Sequence, residues 1–446
     1  MKKIIVLIGL LFSFSCSDDS FKVEGNNEVP DDFQNVAWTL SFGGAGDDSA
    51  RSLIQTNDGG YAILGMTNST DGDLALKALP VNDYWLVKLD DQGNLDWQKT
   101  YGGSRDDQGQ QIIQTSDGGY AITGYAMSDD GDGSNNEGFH DNWILRLDAS
   151  GNILWERSFG FSGHDHSYDL VETADGGFFF SGFLDVTSSN GEGSTDKNSL
   201  TAHGVGEFWG TKIDGDGNLE WRKFFGGTNN DRSFGVVNAH DGGYILAGAS
   251  ESDDFDITDP KGSYDFWAVK VDKNGSFVWE NSFGGTGIDQ AQDIMATPDG
   301  GYVIVGNTFS SDTQITKNQG QSDVWLIKID DDGELLWQKS FGGSGFDAAH
   351  SVRPTEDNGL LICGNSKSFD GDVSENFGEN DIWIFKTDAS GNVQWEKSFG
   401  GLGLDFGYDA IETNNGTIVL IGETASQDFP EVQSKGGIDM VVLSFN

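Results

Sequence analysis

Trp279-Glu280-Asn281-Ser282-Phe283-Gly284-Gly285-Thr286-Gly287-Ile288-Asp289 decides the fold, because variants of this stretch recur along the whole chain. The pattern W-x-x-S-F-G-G-x-G-x-D opens a longer phrase. An apolar run follows, then D-G-G-Y-x-I-x-G, a variable Ser/Asp/Gly stretch, and D-x-W-x-x-K-x-D-x-x-G-N. The opening tryptophans are Trp38, Trp97, Trp155, Trp221, Trp279, Trp337 and Trp395, spaced by 59, 58, 66, 58, 58 and 58 residues. A fixed period of this length marks a repeat architecture, in which each unit buries its apolar face against its neighbours. A residue found in every copy is therefore read as scaffold, and function is sought where the copies differ.

Each copy holds four short strand-like segments, A to D. In the first they cover residues 50–56, 61–65, 84–89 and 95–101. Apolar residues alternate along them, and Asp58-Gly59-Gly60 and Asp90-Asp91-Gln92-Gly93-Asn94 are hairpin connections with glycine where positive φ is needed. Four antiparallel strands per copy and no helical pattern predict an all-β, seven-bladed β-propeller. The chain enters on an isolated strand D, residues 37–42, and ends on a strand C, residues 440–445. The last blade is thus expected to be completed by the N-terminal strand, which closes the ring and removes an exposed edge. The 13 Trp, 30 Phe and 10 Tyr supply the packing between blades.

Residues 1–15 read as a lipoprotein signal peptide: Lys2 and Lys3, an apolar run from Ile4 to Phe12, then Phe14-Ser15-Cys16. Cys16 is the expected lipidated N-terminus of the mature chain. Ser17, Asp18 and Asp19 resemble the short acidic export signal that sends lipoproteins of Bacteroidota to the outer face of the outer membrane. Residues 16–36 read as the lipidated cysteine and a flexible polar tether, and 37–446 as the propeller. The one remaining cysteine, Cys363, lies in an apolar strand, so no disulfide within the chain is expected.

The strand and loop pattern resembles the large propeller superfamily of WD-repeat and quinoprotein-type proteins. The phrase D-G-G-Y-x-I-x-G…D-x-W-x-x-K-x-D-x-x-G-N-x-x-W is similar to a repeat abundant in surface proteins of Bacteroidota, over residues 38 to 446. The resemblance implies the fold and brings no established activity. Nothing in the chain marks a platform for a quinone.

Asp48, Asp107, Asp165, Asp231, Asp289, Asp347 and Asp405 precede strand A, and Asp83, Asp141, Glu207, Asp265, Asp323, Asp381 and Asp439 precede strand C. Lys88, Arg146, Lys212, Lys270, Lys328 and Lys386 lie inside strand C. Such repeated charges read as caps and salt bridges within each blade, since acid–base catalysis needs two particular carboxylates in different environments. Asp-Gly runs such as Asp71-Gly72-Asp73, Asp129-Asp130-Gly131-Asp132 and Asp370-Gly371-Asp372 offer oxygens suited to Ca2+, although none completes a twelve-residue calcium loop. They are also ordinary turn chemistry. With 72 acids against 26 bases, the formal charge of −46 repels phosphate backbones and disfavours nucleic acid as a partner.

The copies differ most in the B–C loops, 68–82, 126–140, 184–206, 250–264, 308–322, 366–380 and 425–438, which share a face with the D–A loops. Four histidines fall in one sector of that face: His140, His164, His166 and His203, beside Asp141 and Asp165. The set suits Zn2+ or a similar ion, with scattered surface histidines as the alternative. Phe139, Phe183, Phe208 and Tyr264 are candidate ligand-face aromatics, suited to stacking on sugars. The chain has no nucleophile elbow, P-loop, HExxH or Rossmann glycine pattern. The reading it supports is a non-enzymatic, surface-anchored binding or scaffold lipoprotein, an accessory subunit engaging an outer-membrane protein complex through its loop face. The alternative is a glycan-binding protein, or a polysaccharide-degrading enzyme using carboxylates at the propeller mouth.

Overall fold

The computed structural model describes residues 36–189, 192–195, 203–204, 206–430 and 432–446. Cys16, Ser17, Asp18 and Asp19, with the signal peptide and nearly all of the tether, lie outside the described residues. The described chain forms twenty-eight strands, numbered β1 to β28 in chain order, in seven four-stranded antiparallel sheets. In the first blade these are β2 (Asp48–Gln55), β3 (Tyr61–Thr67), β4 (Asp83–Leu89) and β5 (Leu95–Tyr101). The expected seven-bladed propeller is what the chain forms.

The seventh sheet has the order β1-β28-β27-β26, with β1 at Val36–Phe42, β26 at Asp405–Glu412, β27 at Ile418–Thr424 and β28 at Asp439–Phe445. Trp38 pairs with Ser444 and Phe42 with Met440, so the N-terminal strand closes the ring as its register predicts. The closing strand begins one residue earlier than residue 37.

The blades are held apart by a fixed wedge of aromatics. The strand-C tryptophans Trp85, Trp143, Trp209, Trp267, Trp325 and Trp383 are almost completely buried. Each meets an apolar side chain of the preceding blade: Tyr84 lies 4.9 Å from Trp143, Phe208 4.5 Å from Trp267, and Phe266 4.6 Å from Trp325. Their indole N–H groups donate to carboxylate, amide or backbone oxygens, as a buried Trp requires. Trp143 donates to Glu156 at 3.0 Å and Trp267 to Glu280 at 2.8 Å. In the third blade Arg222 stands where that acid would be, and Trp209 donates instead to the carbonyl of Gly193, in the long loop of that blade.

The repeated charges are structural. Lys88, Arg146, Lys212, Lys270, Lys328 and Lys386 pair with the Asp of the turn between strands A and B of their own blade, at 3.1, 2.5, 3.2, 2.8, 2.5 and 3.2 Å. In the seventh blade both partners are replaced together, by Asn415 and Ser444. The strand-A and strand-C acids converge on the first glycine of F-G-G. A Cβ on Gly43 would stand 2.6 Å from an Asp48 oxygen and 2.7 Å from an Asp439 oxygen.

The Asp-Gly runs expected to suit Ca2+ are filled from within. Asp71 Oδ1 accepts the N–H of Ala45 at 2.7 Å, and Asp73 Oδ2 that of Gly43 at 3.0 Å. Asp130 and Asp370 do the same for Ser104 and Ser344, at 2.8 and 2.7 Å. These carboxylates clip the B–C loop to the D–A loop of the same blade, which explains why the motif recurs.

Candidate functional site

The innermost strand of every blade carries a β-bulge. In β2 the ladder shifts register between Ala50 and Ser52, leaving Arg51 unpaired. The same shift isolates Gln110, Tyr168, Phe234, Gln292, His350 and Tyr408 in the other six. A bulge bends its strand and re-aims the extra side chain. Here all seven point into the axial channel and are half-buried. The carbonyl before each bulge leans on the glycine that ends D-G-G-Y-x-I-x-G. A Cβ at Gly65 would fall inside the Ser49 carbonyl oxygen, and Gly182 and Gly248 stand in the same relation to His166 and Arg232.

The scaffold thus repeats the bulge seven times and changes its side chain: Arg, Gln, Tyr, Phe, Gln, His, Tyr. With Gln108, Tyr125, Asp169, Asp293 and Arg353, these residues line a cavity of about 350 Å3 on the axis. The expectation that function lies where copies differ points here as well as to the loops. Sequence reading missed this ring, although the strand-B glycine repeated in every copy is its trace.

The carboxylates of the channel wall are engaged in ties between blades. Asp169 accepts from Gln111 Nε2 at 2.7 Å and from the N–H of Val236, in the next blade, at 2.7 Å. Asp409 accepts from the N–H of Leu53 at 3.0 Å, and Asp293 from that of Val352 at 2.9 Å. Burial, then the charge of Asp293, pushes Asp169 up to about 7. Arg353 bridges the other two acids, with Nη1 2.6 Å from Asp293 and Nη2 3.0 Å from Asp409. Arg51 stacks on Tyr408 at 3.9 Å. The remaining wall is amide and aromatic, apart from Ser351.

One mouth of the channel is asymmetric. The residue before the strand-A acid is Asp47, Asp106, His164 and Asn230 in the first four blades, then Ile288, Phe346 and Leu404. Backbone bridges such as His140 with His164 and Asn380 with Leu404 fix this rim. In the apolar sector Phe369 and Leu402 are 74% and 70% exposed, and Ile288, Phe309 and Leu404 also face solvent.

On the opposite sector, three of the four expected histidines converge. His140 Nδ1 lies 3.0 Å from His164 Nδ1, and one ring nitrogen from each of His140, His164 and His166 lies within 4.8 Å of the others. Burial, then the neighbouring rings of His140 and His164, lowers the pKa of His166 to about 3. That of His164 is also lowered, first by burial. His203 does not join them. It is buried, with Nδ1 3.3 Å from Glu207 and its ring stacked 4.8 Å from Phe255. Asp141 and Asp165 also fall outside the cluster. They are scaffold acids, accepting the N–H groups of Glu137 and of Phe161, each at 2.7 Å. The acid beside the histidines is Asp106, 3.2 Å from His140 Nε2.

The candidate ligand-face aromatics divide. Phe139 is exposed and stacks on His164 at 5.0 Å. Tyr264 is half-buried at the rim and donates to Glu251 at 3.0 Å. Phe183 is 6% exposed, packed 4.7 Å from His166. Phe208 is completely buried against Trp267, because strand C of each blade faces the wedge rather than the loop face.

The fold and this channel define a class, a closed propeller with a variable axial site. No protein-family model matches the chain. The regulatory protein FlaEY of Caulobacter vibrioides is 26% identical over 170 residues, 37% of this chain and 18% of that protein. The chain therefore spans 18% of the length of that curated relative. The WD40 domain of Neurospora crassa Pan2 has a TM-score of 0.48 at 10% identity, with 90% of this chain and 89% of that one covered. BamB from Moraxella catarrhalis has a TM-score of 0.39 at 11% identity, covering 90% of this chain and 99% of that one. The first is a partial likeness of sequence, and the other two are likenesses of fold alone.

Proposed function

We propose that this chain is a non-enzymatic binding module, anchored by lipid at Cys16 to the bacterial outer membrane, exposed at the surface, and holding a protein partner of an outer-membrane complex. The observation that supports it is the apolar sector of the mouth. Ile288, Phe309, Phe369, Leu402 and Leu404 are exposed on a loop face whose remaining rim is mostly polar. Exposed apolar side chains gathered in the fifth to seventh blades of a rigid frame suit a protein interface. The channel acids Asp169, Asp293 and Asp409 are each engaged in ties between blades.

The test is purification of the lipidated protein from its native membrane in mild detergent, beside Phe369→Asp and Leu402→Asp variants. A stoichiometric partner that both variants lose supports the proposal. A folded protein that comes down alone, or a partner indifferent to both substitutions, refutes it.

The channel favours a second reading. Tyr125, Tyr168, Phe234 and Tyr408 interleaved with Gln108, Gln110 and Gln292 suit a neutral polar ligand such as a glycan end, which stacks on rings and exchanges hydrogen bonds with amides. Glycan screening against the parent and Tyr168→Ala distinguishes the two readings. Binding lost with Tyr168 but kept in Phe369→Asp assigns the channel as the site.

A further inference from the structure

We infer that His140, His164 and His166 form a site for a single divalent transition-metal ion of the zinc class, at the channel mouth between the second and third blades. The three residues come from two elements locked together. His140 ends the B–C loop of the second blade, and His164 and His166 flank Asp165 where the third blade begins. The N–H of Asp165 donates to the carbonyl of His140 at 2.7 Å, so the backbone holds the rings in register.

The spare nitrogens identify the ligand atoms. His140 uses Nε2 toward Asp106, itself held by Asn82 at 2.5 Å and by Gln108 at 2.9 Å. His166 uses Nδ1 toward the Tyr168 hydroxyl at 3.3 Å. That leaves His140 Nδ1, which His164 Nδ1 faces at 3.0 Å, and His166 Nε2. The last is buried and has no hydrogen-bond partner. A buried, unsatisfied ring nitrogen needs an explanation, and an ion is one that also suits its neighbours. A ligating imidazole typically gives its other nitrogen to a carboxylate or hydroxyl that fixes the ring, as His140 and His166 do here.

The geometry is close to what an ion needs. Zinc–nitrogen bonds of about 2.0–2.1 Å in a tetrahedron set nitrogens about 3.3 Å apart. The 3.0 Å between His140 and His164 is near that value, and the 4.8 Å limit leaves a small ring rotation for His166. A cavity of about 260 Å3, lined by His164, His166, Tyr168, Phe183, Asp185 and Arg232, adjoins the cluster and gives a fourth position access to solvent. Three imidazoles select a borderline transition ion over Ca2+ or Mg2+, which prefer oxygen.

The set is also unique among the seven copies. At the position of His166 the others carry Ser49, Gln108, Arg232, Gln290, Ala348 and Phe406, and the scaffold is unchanged. The three histidines are therefore not required to build a blade.

The experiment is equilibrium dialysis of the untagged full chain, stripped with chelator, against Zn2+ in about 0.15 M salt with excess Ca2+ and Mg2+ to occupy surface carboxylates. One equivalent bound, weakened at least tenfold by His164→Ala and by His140→Gln but not by His203→Gln, supports the site. Cobalt in place of zinc then gives a visible spectrum of low-symmetry, nitrogen-rich coordination that is lost in His164→Ala. Because His164 is exposed, that variant keeps the fold, which thermal melting checks. No binding above background, or binding unchanged in both ligand variants, overturns the inference.

Discussion

Arg353 Nη1 lies 2.6 Å from Asp293, and Arg353 stands where the other six innermost strands carry Ile54, Ile113, Val171, Val237, Met295 and Ile411. A cation has replaced an aliphatic residue at one of seven equivalent places. Its second contact is Asp409, so it neutralises two wall acids from flanking blades. Although burial opposes the charge, Asp409 and Asp293 hold the pKa of Arg353 above its ordinary value.

Arg353→Met restores the residue type of the other strands but strands two acids. Breaking a buried pair from one side costs about 3–5 kcal/mol. Because Arg353 is partly open to the channel, the expected loss is about 2–3 kcal/mol, measured by denaturant unfolding. The double variant with Asp293→Asn should recover part of it. Equal stability of parent and single variant would show that the pair contributes nothing.

Asp117→Asn tests the pairs inside the blades. Arg146 is buried and donates to both oxygens of Asp117, whose pKa falls to about 2, first through the Thr115 hydroxyl and the Gly119 N–H. Asparagine leaves the guanidinium without its counter-charge, and a loss of about 1–2 kcal/mol is expected from thermal melts. Installing the missing pair in the last blade, with Asn415→Asp and Ser444→Lys, should gain less than about 1 kcal/mol, because the desolvation of lysine offsets the attraction.

Stability should fall as pH rises between about 4 and 7. Burial, together with the strand-A acid beside each, raises Asp83, Asp265 and Asp323 to about 6 and Asp381 to about 7. Each of the four also has one buried oxygen without a hydrogen-bond partner. A carboxyl whose folded pKa is raised keeps its proton when the unfolded chain has lost it. Its stabilisation is full below the unfolded value and disappears as pH passes the folded one. His350, His166 and His164, each lowered first by burial, oppose this below their ordinary value, but Asp141, Asp165 and Asp169, raised by burial to about 7, add to the four carboxyls. The melting temperature should therefore be higher at pH 5.5 than at pH 8 by about 3–6 °C. A flat profile would show that these acids are ionised throughout.

Tyr168→Ala and Phe234→Ala should leave stability within about 1 kcal/mol of the parent, since both rings are half-buried in the channel. Phe208→Ala, in the wedge against Trp267, should cost about 3–5 kcal/mol. Calorimetry of the three variants separates channel from scaffold. A large loss at Tyr168 would count against the channel as a free surface.

The period, the blade count and the closing strand were legible because each is written seven times or conspicuously incomplete at one end. The salt bridges were legible for the same reason. The histidine cluster was half legible: His140, His164 and His166 share a rim, but the loop before Glu207 carries His203 into a different packing, which spacing cannot reveal. Asp106 was hidden because it sits at a position where Asp47 and Asn230 look interchangeable with it. The channel ring was hidden by the bulge itself, since alternation along β2 assigns Arg51 to a face without revealing that the strand kinks there. Phe208 was misplaced because a phenylalanine beside a variable loop reads as part of it, whereas its register with Phe225 turns it into the wedge.

The clasp between β1 and β28 has a consequence in time. β1 is made before every other described strand and β28 after all of them, so the outer half of the last sheet waits for nearly the whole chain. Until then Trp38 and Leu40 have no strand to lie against, and the edge of β27 has no neighbour. Ring closure is therefore a signal that synthesis has passed Phe445. A chain that stalls before Asp439 keeps two open edges, and those edges distinguish an unfinished copy from a finished one.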